Sequence, residues 1–102
     1  MIKKKTRKES DSMGTMNVPA DALYGAQTAR AVKNFPISKL RFNRAFIEAL
    51  GVVKFSAAKA NLSLNLISSD IANSIMKASN EVILGKHDSE FVVDIFQTGS
   101  GT

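Results

Sequence analysis

Apolar positions in the middle of the chain recur at intervals of three and four residues, which is the spacing of one face of an α-helix. Between Phe42 and Ile67 this pattern predicts one helix of about 25 residues, nearly 40 Å long at ~1.5 Å per residue. Gly51 lies inside it and would weaken an isolated helix by about 1 kcal/mol relative to alanine, so we expect close packing there. The stripe expected to be buried comprises Phe42, Phe46, Leu50, Val53, Ala57, Ala60, Leu64 and Ile67.

Two shorter helices are predicted on either side of the long one. A short helix from Leu23 to Asn34 would be stopped by Pro36, since the residue before a proline is disfavoured in helical geometry. Ser68 or Ser69 can cap a later helix, and Gly85 is a natural end for it. The buried face expected for this later helix comprises Ile71, Ile75, Ala78 and Val82.

The remaining segments predict irregular structure or short extended pieces. Residues 10–19 mix turn formers with apolar alternation, which predicts an irregular segment or a small β-hairpin around Gly14. The apolar run Phe91–Phe96 fits either an extended piece or a short helical one. Residues 97–102 contain two glycines, two threonines and a serine, and are predicted to form a loop. The sequence thus predicts a mainly α fold with a short amino-terminal arm.

The formal charge of +5 is concentrated at one end of the chain. Five basic side chains in the first eight residues account for it, and the remaining nine basic residues balance nine acidic ones. A basic run without aromatic residues is usually unstructured, so residues 1–9 are predicted to be a disordered tail and residues 10–102 the folded domain. Because residues 9–102 carry no net charge, nucleic-acid binding by the folded domain is not expected. Binding of nucleic acid by the basic tail alone is the alternative. The five are Lys3, Lys4, Lys5, Arg7 and Lys8.

Candidate chemical groups are few. The chain has no cysteine, which excludes disulfides, thiolate zinc sites and a cysteine nucleophile, and agrees with a reducing cytosol. His87 is the single histidine and follows Lys86 in a predicted surface turn, so solvation or local hydrogen bonding is expected rather than a metal site. Apolar stretches end well before the ~20 residues that cross a bilayer, and no secretory signal is visible. We expect a cytoplasmic protein without metal or membrane segment.

The last five residues have the composition of an anion-binding loop. Glycines at 99 and 101 allow close backbone approach to a ligand, while hydroxyls and peptide N–H groups supply donors. The segment lacks the lysine of a phosphate-binding Walker loop and the spaced glycines of a dinucleotide site. From composition alone, a flexible terminus is the competing interpretation.

Several short motifs stand in order along the chain, and together they closely resemble the class II fumarate hydratases over roughly residues 10 to 102. The chain departs from the usual family pattern at Val92, where proline is common, at Lys54-Phe55-Ser56, where Lys-Arg-Ala is common, and in its basic tail. The motifs are Asp11-Ser12-Met13-Gly14, Val18-Pro19-Ala20-Asp21-Ala22-Leu23-Tyr24-Gly25-Ala26-Gln27-Thr28, Arg30-Ala31-Val32, Asn34-Phe35-Pro36-Ile37-Ser38, Asn80-Glu81-Val82-Ile83, Gly85-Lys86-His87-Asp88 and Gln97-Thr98-Gly99-Ser100-Gly101-Thr102.

The related aspartate ammonia-lyases are the nearest alternative. They share the fold and the Pro-Ala-Asp-Ala motif. They typically read Gly-Val-His-Thr where this chain has Gly25-Ala26-Gln27-Thr28, and Gly-Gly-Ala-Gly-Thr where it has residues 98–102. Both differences favour the fumarate hydratases.

The resemblance implies reversible hydration of fumarate to L-malate without metal or organic cofactor, in a homotetramer. It assigns substrate binding to Ser100, Gly101 and Thr102, and it places the catalytic residues outside this chain. The implied fold is the amino-terminal helical domain of the fumarase/aspartase fold, ending before the central helix bundle. We therefore expect the isolated chain to be inactive. A non-catalytic helical interaction module is the alternative from a different class.

Overall fold

The computed structural model describes residues 5–97 and 99. Two units can be distinguished: a hairpin unit, formed by the described residues up to Arg41 and those from Glu90 onward, and a two-helix unit, Phe42–Ser89. The described residues are mainly helical and carry one two-stranded sheet, which confirms the predicted fold class. In chain order the elements are β1 (Thr6–Asp11), β2 (Gly14–Pro19), α1 (Ala26–Asn34), α2 (Arg44–Ser63), α3 (Ser69–Ile83) and a 3₁₀ turn (Asp88–Glu90).

The hairpin alternative for the amino-terminal arm is confirmed. Strands β1 and β2 pair antiparallel from Thr6 opposite Pro19 to Asp11 opposite Gly14. Gly14 has a φ of +120°, which lies in the region that favours glycine, and an Asp11 carboxylate oxygen accepts a hydrogen bond from the Met13 N–H at 2.9 Å. Glycine and the aspartate side chain together close the two-residue turn.

The predicted disordered tail over residues 1–9 is wrong for Thr6–Glu9, which belong to β1. Its side chains alternate between exposed and partly buried positions, as expected for a strand with one covered face. Arg7 lies on the covered side and donates to the carbonyls of Pro19, Ala22 and Tyr24 at 2.9, 2.7 and 2.8 Å. The basic residues obscured the strand alternation in the sequence, because the charge of an arginine does not show whether it has hydrogen-bond partners.

Arg7 also accounts for the late start of α1. The helix begins at Ala26, three residues after the predicted start at Leu23, and ends at Asn34 as predicted. The carbonyls of Ala22 and Tyr24 accept from the Arg7 guanidinium, and the Leu23 N–H donates to the Glu90 carboxylate, so side chains rather than helical bonds hold this stretch.

Helices α2 and α3 begin with side-chain caps and end with the same backbone motif. Asn43 accepts from the Phe46 N–H at 2.9 Å, and Ser68 accepts from the Ile71 N–H at 3.3 Å, which confirms the serine cap. At the other end of α3, Gly85 has a φ of +82°, the Gly85 N–H donates to the Val82 carbonyl and the following N–H donates to the Glu81 carbonyl. This Schellman motif confirms Gly85 as the helix stop.

Helix α2 is shorter than predicted and ends at Ser63 rather than Ile67. Asn65 adopts a φ of +58°, and its N–H donates to the Leu62 carbonyl while the Leu66 N–H donates to the Asn61 carbonyl. Asparagine thus terminates α2 with the motif that glycine provides for α3. Apolar residues continue the helical spacing beyond this point, so periodicity alone predicted a helix that is too long.

The two helices meet along a line of small residues. A Cβ atom on Gly51 would lie 2.8 Å from Cγ1 of Ile83 and 3.1 Å from the Ser79 carbonyl oxygen, which confirms the predicted close packing. The buried residues of this unit are Ile47, Gly51 and Ala58 on α2 with Ala72 and Ser79 on α3.

The predicted buried stripes are wrong for most of their large members. Phe46, Leu50 and Val53 are 47%, 38% and 62% exposed, and Ile71 and Ile75 are also exposed. The observed contact line runs largely one residue later on each helix, equivalent to a rotation of about 100°. Because α2 carries apolar residues on two adjacent faces, periodicity could not select the face built from small side chains.

Candidate functional site

The predicted substrate-binding residues Ser100, Gly101 and Thr102 lie outside the described residues. The structure describes the segment that leads to them, which begins in the apolar run Phe91–Phe96. This run forms neither a strand nor a helix and contains bends and turns. The geometry of this segment therefore comes from side chains that bond to the backbone.

Asp94 is the central polar residue of this segment and is 4% exposed. One carboxylate oxygen accepts from the Ser38 N–H at 2.5 Å and from the Ser38 hydroxyl at 2.9 Å. The other accepts from the Phe96 N–H at 2.9 Å. A buried carboxylate requires such donors, because removal from water is otherwise costly. Asp94 was not among the predicted site residues, although an aspartate inside an apolar run is a signal of a buried polar role.

Hydrogen bonds keep this carboxylate ionised. The Phe96 N–H, and then the Ser38 N–H and hydroxyl, lower the pKa of Asp94 below its ordinary value, against the opposing effect of burial. Arg41 adds a favourable charge, with a guanidinium nitrogen 3.9 Å from the carboxylate. Both oxygens are thus occupied by donors, which suits a structural acceptor better than a general base.

An open groove of about 370 Å³ lies beside Asp94 in the hairpin unit. Its floor is mainly apolar, and Lys39 and Arg41 bring two positive charges to its lining. The lining residues are Val32, Phe35, Pro36, Ile37, Ser38, Lys39, Arg41, Val92 and Asp94.

Gln97 continues the pattern that Asp94 begins. Its side-chain carbonyl accepts from the Gly99 N–H at 2.7 Å, two residues ahead, as Asp94 accepts from Phe96. Gly99 has a φ of +68°, so a side chain at this position would be strained. Residues 97 and 99 lie in neither a helix nor a strand, which agrees with the predicted loop. The positive φ of Gly99 explains why glycine occupies this position.

A second polar cluster joins the hairpin to α1. Arg30 forms an ion pair with Asp11, with one nitrogen to oxygen distance of 2.7 Å and a second of 3.1 Å. Hydrogen bonding from Arg30, and then from the Met13 N–H, lowers the pKa of Asp11. The pair is largely shielded from solvent, with side-chain exposures of 19% and 9%. The pair could not be predicted from local sequence patterns, because the partners are 19 residues apart.

His87 makes a local hydrogen bond, as predicted. Its Nε2 lies 2.8 Å from a Glu81 carboxylate oxygen, and this contact lowers the pKa of Glu81. Among the described residues, no group of three or more potential ligands is arranged to hold a metal ion. Within that same part of the chain, no helix combines the length and apolarity needed to cross a bilayer.

Comparison with known proteins places this geometry in a family. A lyase family model matches residues 14–102. The chain is 58% identical over 96 residues to a class II fumarate hydratase of Halobacterium salinarum. This alignment covers 94% of this chain and 20% of that protein. The identity with a class II fumarate hydratase of Corynebacterium glutamicum is 46% over 102 residues, covering 100% of this chain and 22% of that protein.

Solved structures agree with the sequence comparisons. The class II fumarase of Schistosoma mansoni superimposes with a TM-score of 0.91 at 42% identity, covering 96% of this chain and 21% of that one. The fumarate lyase:delta crystallin of Brucella melitensis gives a TM-score of 0.89 at 41% identity, covering 95% and 23%. The chain thus spans about a fifth of the length of the relatives it matches.

These matches confirm the predicted fold, since the superposition covers 96% of this chain. They also confirm the resemblance drawn from the ordered motifs. The chain belongs to this lyase family, and the relatives compared above include class II fumarate hydratases.

Proposed function

We propose that this chain supplies a substrate-binding segment to a class II fumarate hydratase, which reversibly hydrates fumarate to L-malate. The observation that carries the proposal is that the family match extends through residue 102 and so includes Ser100, Gly101 and Thr102. The hydroxyls of Ser100 and Thr102, with nearby peptide N–H groups, would donate to one substrate carboxylate. No cofactor takes part in this proposal.

Electrostatic stabilisation is the chemical role of this segment. Abstraction of a proton from the carbon beside a carboxylate spreads negative charge onto that carboxylate. Fixed donors aimed at the growing charge lower the barrier, because they do not reorganise during the reaction. Hydroxyls and peptide groups are suited to this task and are poor proton acceptors at neutral pH.

The general base would come from outside this chain. Asp94 has both oxygens engaged by N–H and hydroxyl donors, and His87 is paired with Glu81. Asp94 therefore has no oxygen left to accept a proton from substrate, and the family resemblance assigns the catalytic residues to segments outside this chain. The isolated chain is therefore expected to show no turnover of fumarate or L-malate.

The setting of this enzyme is part of the proposal. The chain from β1 onward would form the amino-terminal domain of a cytoplasmic homotetramer that acts in the tricarboxylic acid cycle. The absence of cysteine suits a reducing compartment, and the exposed apolar residues of α2 suit burial by further protein.

The test is a fumarate hydration assay on the complete protein that contains this chain, followed by the ultraviolet absorbance of fumarate. Ser100→Ala and Thr102→Ala should each lower kcat/KM by roughly ten- to a thousandfold, as expected for the loss of one donor. Ser56→Ala, at an exposed position of α2, is the matched control. Activity on L-aspartate instead of L-malate would assign the protein to the ammonia-lyases, and unchanged kinetics in both variants would refute the role of the loop.

A non-catalytic interaction module is the second candidate. The exposed side chains of Phe46, Leu50 and Val53 on one side of α2 favour it. Light scattering of the isolated chain tests it, since self-association is expected from such a surface. A monomer at high concentration that also fails to bind the complete enzyme would count against this role.

A further inference from the structure

The Asp94 carboxylate connects two segments that are 56 residues apart in the sequence. Its side chain is 2% exposed, and all of its recorded donors belong to Ser38 and Phe96. Hydrogen bonds to an ionised acceptor are stronger than those between neutral groups. The contact therefore ties the stretch after α1 to the stretch before residues 97–102.

Two successive side chains then define the backbone that follows. Asp94 accepts from the N–H two residues ahead, and Gln97 accepts from the Gly99 N–H two residues ahead. No strand or helix includes these positions, so a backbone ladder does not fix their course. The direction of the chain at Phe96 depends on Asp94, and the Gln97 side chain then bonds to the Gly99 N–H.

We propose that Asp94 is a positioning residue for substrate binding, because it ties the backbone at Phe96, which leads toward residues 97–102, to the Ser38 segment. This inference rests on the proposed function of that segment. Asp94 itself does not touch substrate. It acts through Phe96, and the kinetic consequence of its loss is a poorly placed set of donors.

The chemistry of the site requires a carboxylate. One oxygen faces the two donors of Ser38, and the other faces the N–H of Phe96. An asparagine has one carbonyl oxygen, so its NH₂ group must oppose a donor on one side or the other. Asp94→Asn therefore keeps the shape of the side chain while it breaks one connection. Ser38→Ala is a milder variant that removes the hydroxyl bond and keeps the peptide N–H.

The experiment compares the complete enzyme with its Asp94→Asn and Ser38→Ala variants. Asp70→Asn is the matched control, because Asp70 is an exposed carboxylate of α3. Steady-state kinetics for fumarate gives KM and kcat separately. Amide hydrogen exchange, read by mass spectrometry on peptides that contain Phe96 and Gly99, reports order in the segment without reference to activity.

Asp94→Asn should increase exchange at Phe96 by about tenfold or more, since local opening becomes easier. It should lower kcat/KM by about ten- to a hundredfold, the effect of a displacement near 1 Å at a reacting centre. KM should rise while kcat falls, because displaced donors hold the carboxylate less well in both states. Ser38→Ala should show a smaller change in the same direction, and Asp70→Asn should match the unaltered enzyme.

Three outcomes would overturn the inference. Exchange at Phe96 could stay unchanged, or exchange could rise with KM and kcat intact. Alternatively, kcat alone could fall in proportion to lost folded protein, which indicates a purely structural role. If Asp94→Asn does not fold, Ser38→Ala decides the matter by the same criteria. Failure of the unaltered enzyme to hydrate fumarate would refute the proposed function, whereas exchange separately shows whether Asp94 orders the segment.

Discussion

Gly51 leaves no room for a side chain between α2 and α3, so its replacement by alanine should destabilise the two-helix unit. An added Cβ would lie 2.8 Å from Cγ1 of Ile83, 3.1 Å from the Ser79 carbonyl oxygen and 3.2 Å from the Ile83 nitrogen. The first neighbour belongs to a side chain that can rotate. The other two belong to the backbone of α3, so the two helices must move apart by a few tenths of an ångström.

Two effects of opposite sign determine the magnitude. Alanine favours the helical state over glycine by about 1 kcal/mol at an unhindered position. Overpacking in a close contact costs about 1 to 3 kcal/mol, and here backbone atoms must move, which favours the upper part of that range. We expect a net loss of about 1 to 2 kcal/mol in the free energy of unfolding.

Urea denaturation followed by far-ultraviolet circular dichroism measures this change. Ser56→Ala is the control, since it adds helix propensity at an exposed position of α2 and should be neutral or slightly stabilising. In a double-mutant cycle, Ile83→Ala removes the nearest atom and should recover only part of the loss, because the backbone contacts remain. A Gly51→Ala chain that is more stable than the parent would refute the close contact.

Three further predictions concern the turn residues and ion pairs. Arg7→Ala should lower the free energy of unfolding by about 2 kcal/mol, because a charged donor loses its bonds to backbone carbonyls. Lys8→Ala, at an exposed position, should change it by less than about 0.5 kcal/mol. Equal effects of the two substitutions in thermal unfolding would contradict the role of Arg7. Gly85→Ala should cost about 1 to 2 kcal/mol because of the left-handed backbone, and an unchanged melting temperature would show that α3 ends differently. The pKa of Asp11 is lowered by Arg30 from an ordinary value of 3.8, so its stabilisation is complete above that pH and is lost as the pH falls toward the lowered pKa. Acid titrations of Asp11→Asn should lack this component, and identical profiles would refute it.

Local signals in the sequence predicted local structure well. The Ser68 cap, the stop at Gly85 and the turn at Gly14 each depend on the conformational preference of one residue and its immediate neighbours. The close approach at Gly51 was also predicted, since an interior helical glycine carries a cost that packing can explain. These features need no knowledge of distant partners.

Long-range features were missed for the corresponding reason. Arg7 has the same charge as its lysine neighbours, and only the fold shows that it binds carbonyls of the chain beyond β2. The buried role of Asp94 depends on Ser38, which is far away in the sequence. The face of α2 that contacts α3 was predicted wrongly, because the prediction followed the largest apolar residues of the periodic pattern. Closely packed helices instead place small residues at their contact.

The order of the two units along the chain has a consequence for folding kinetics. The hairpin unit is discontinuous, and the whole of Phe42–Ser89 is inserted between its parts. Closing a flexible loop of 56 residues to join Ser38 with Asp94 costs roughly 3 to 4 kcal/mol in chain entropy. The insert is a helical hairpin of mostly local contacts, and such structures form fast. Folding of the insert first would shorten the flexible part of that loop, so destabilised variants of α2 or α3 should also slow formation of the Asp94 contact.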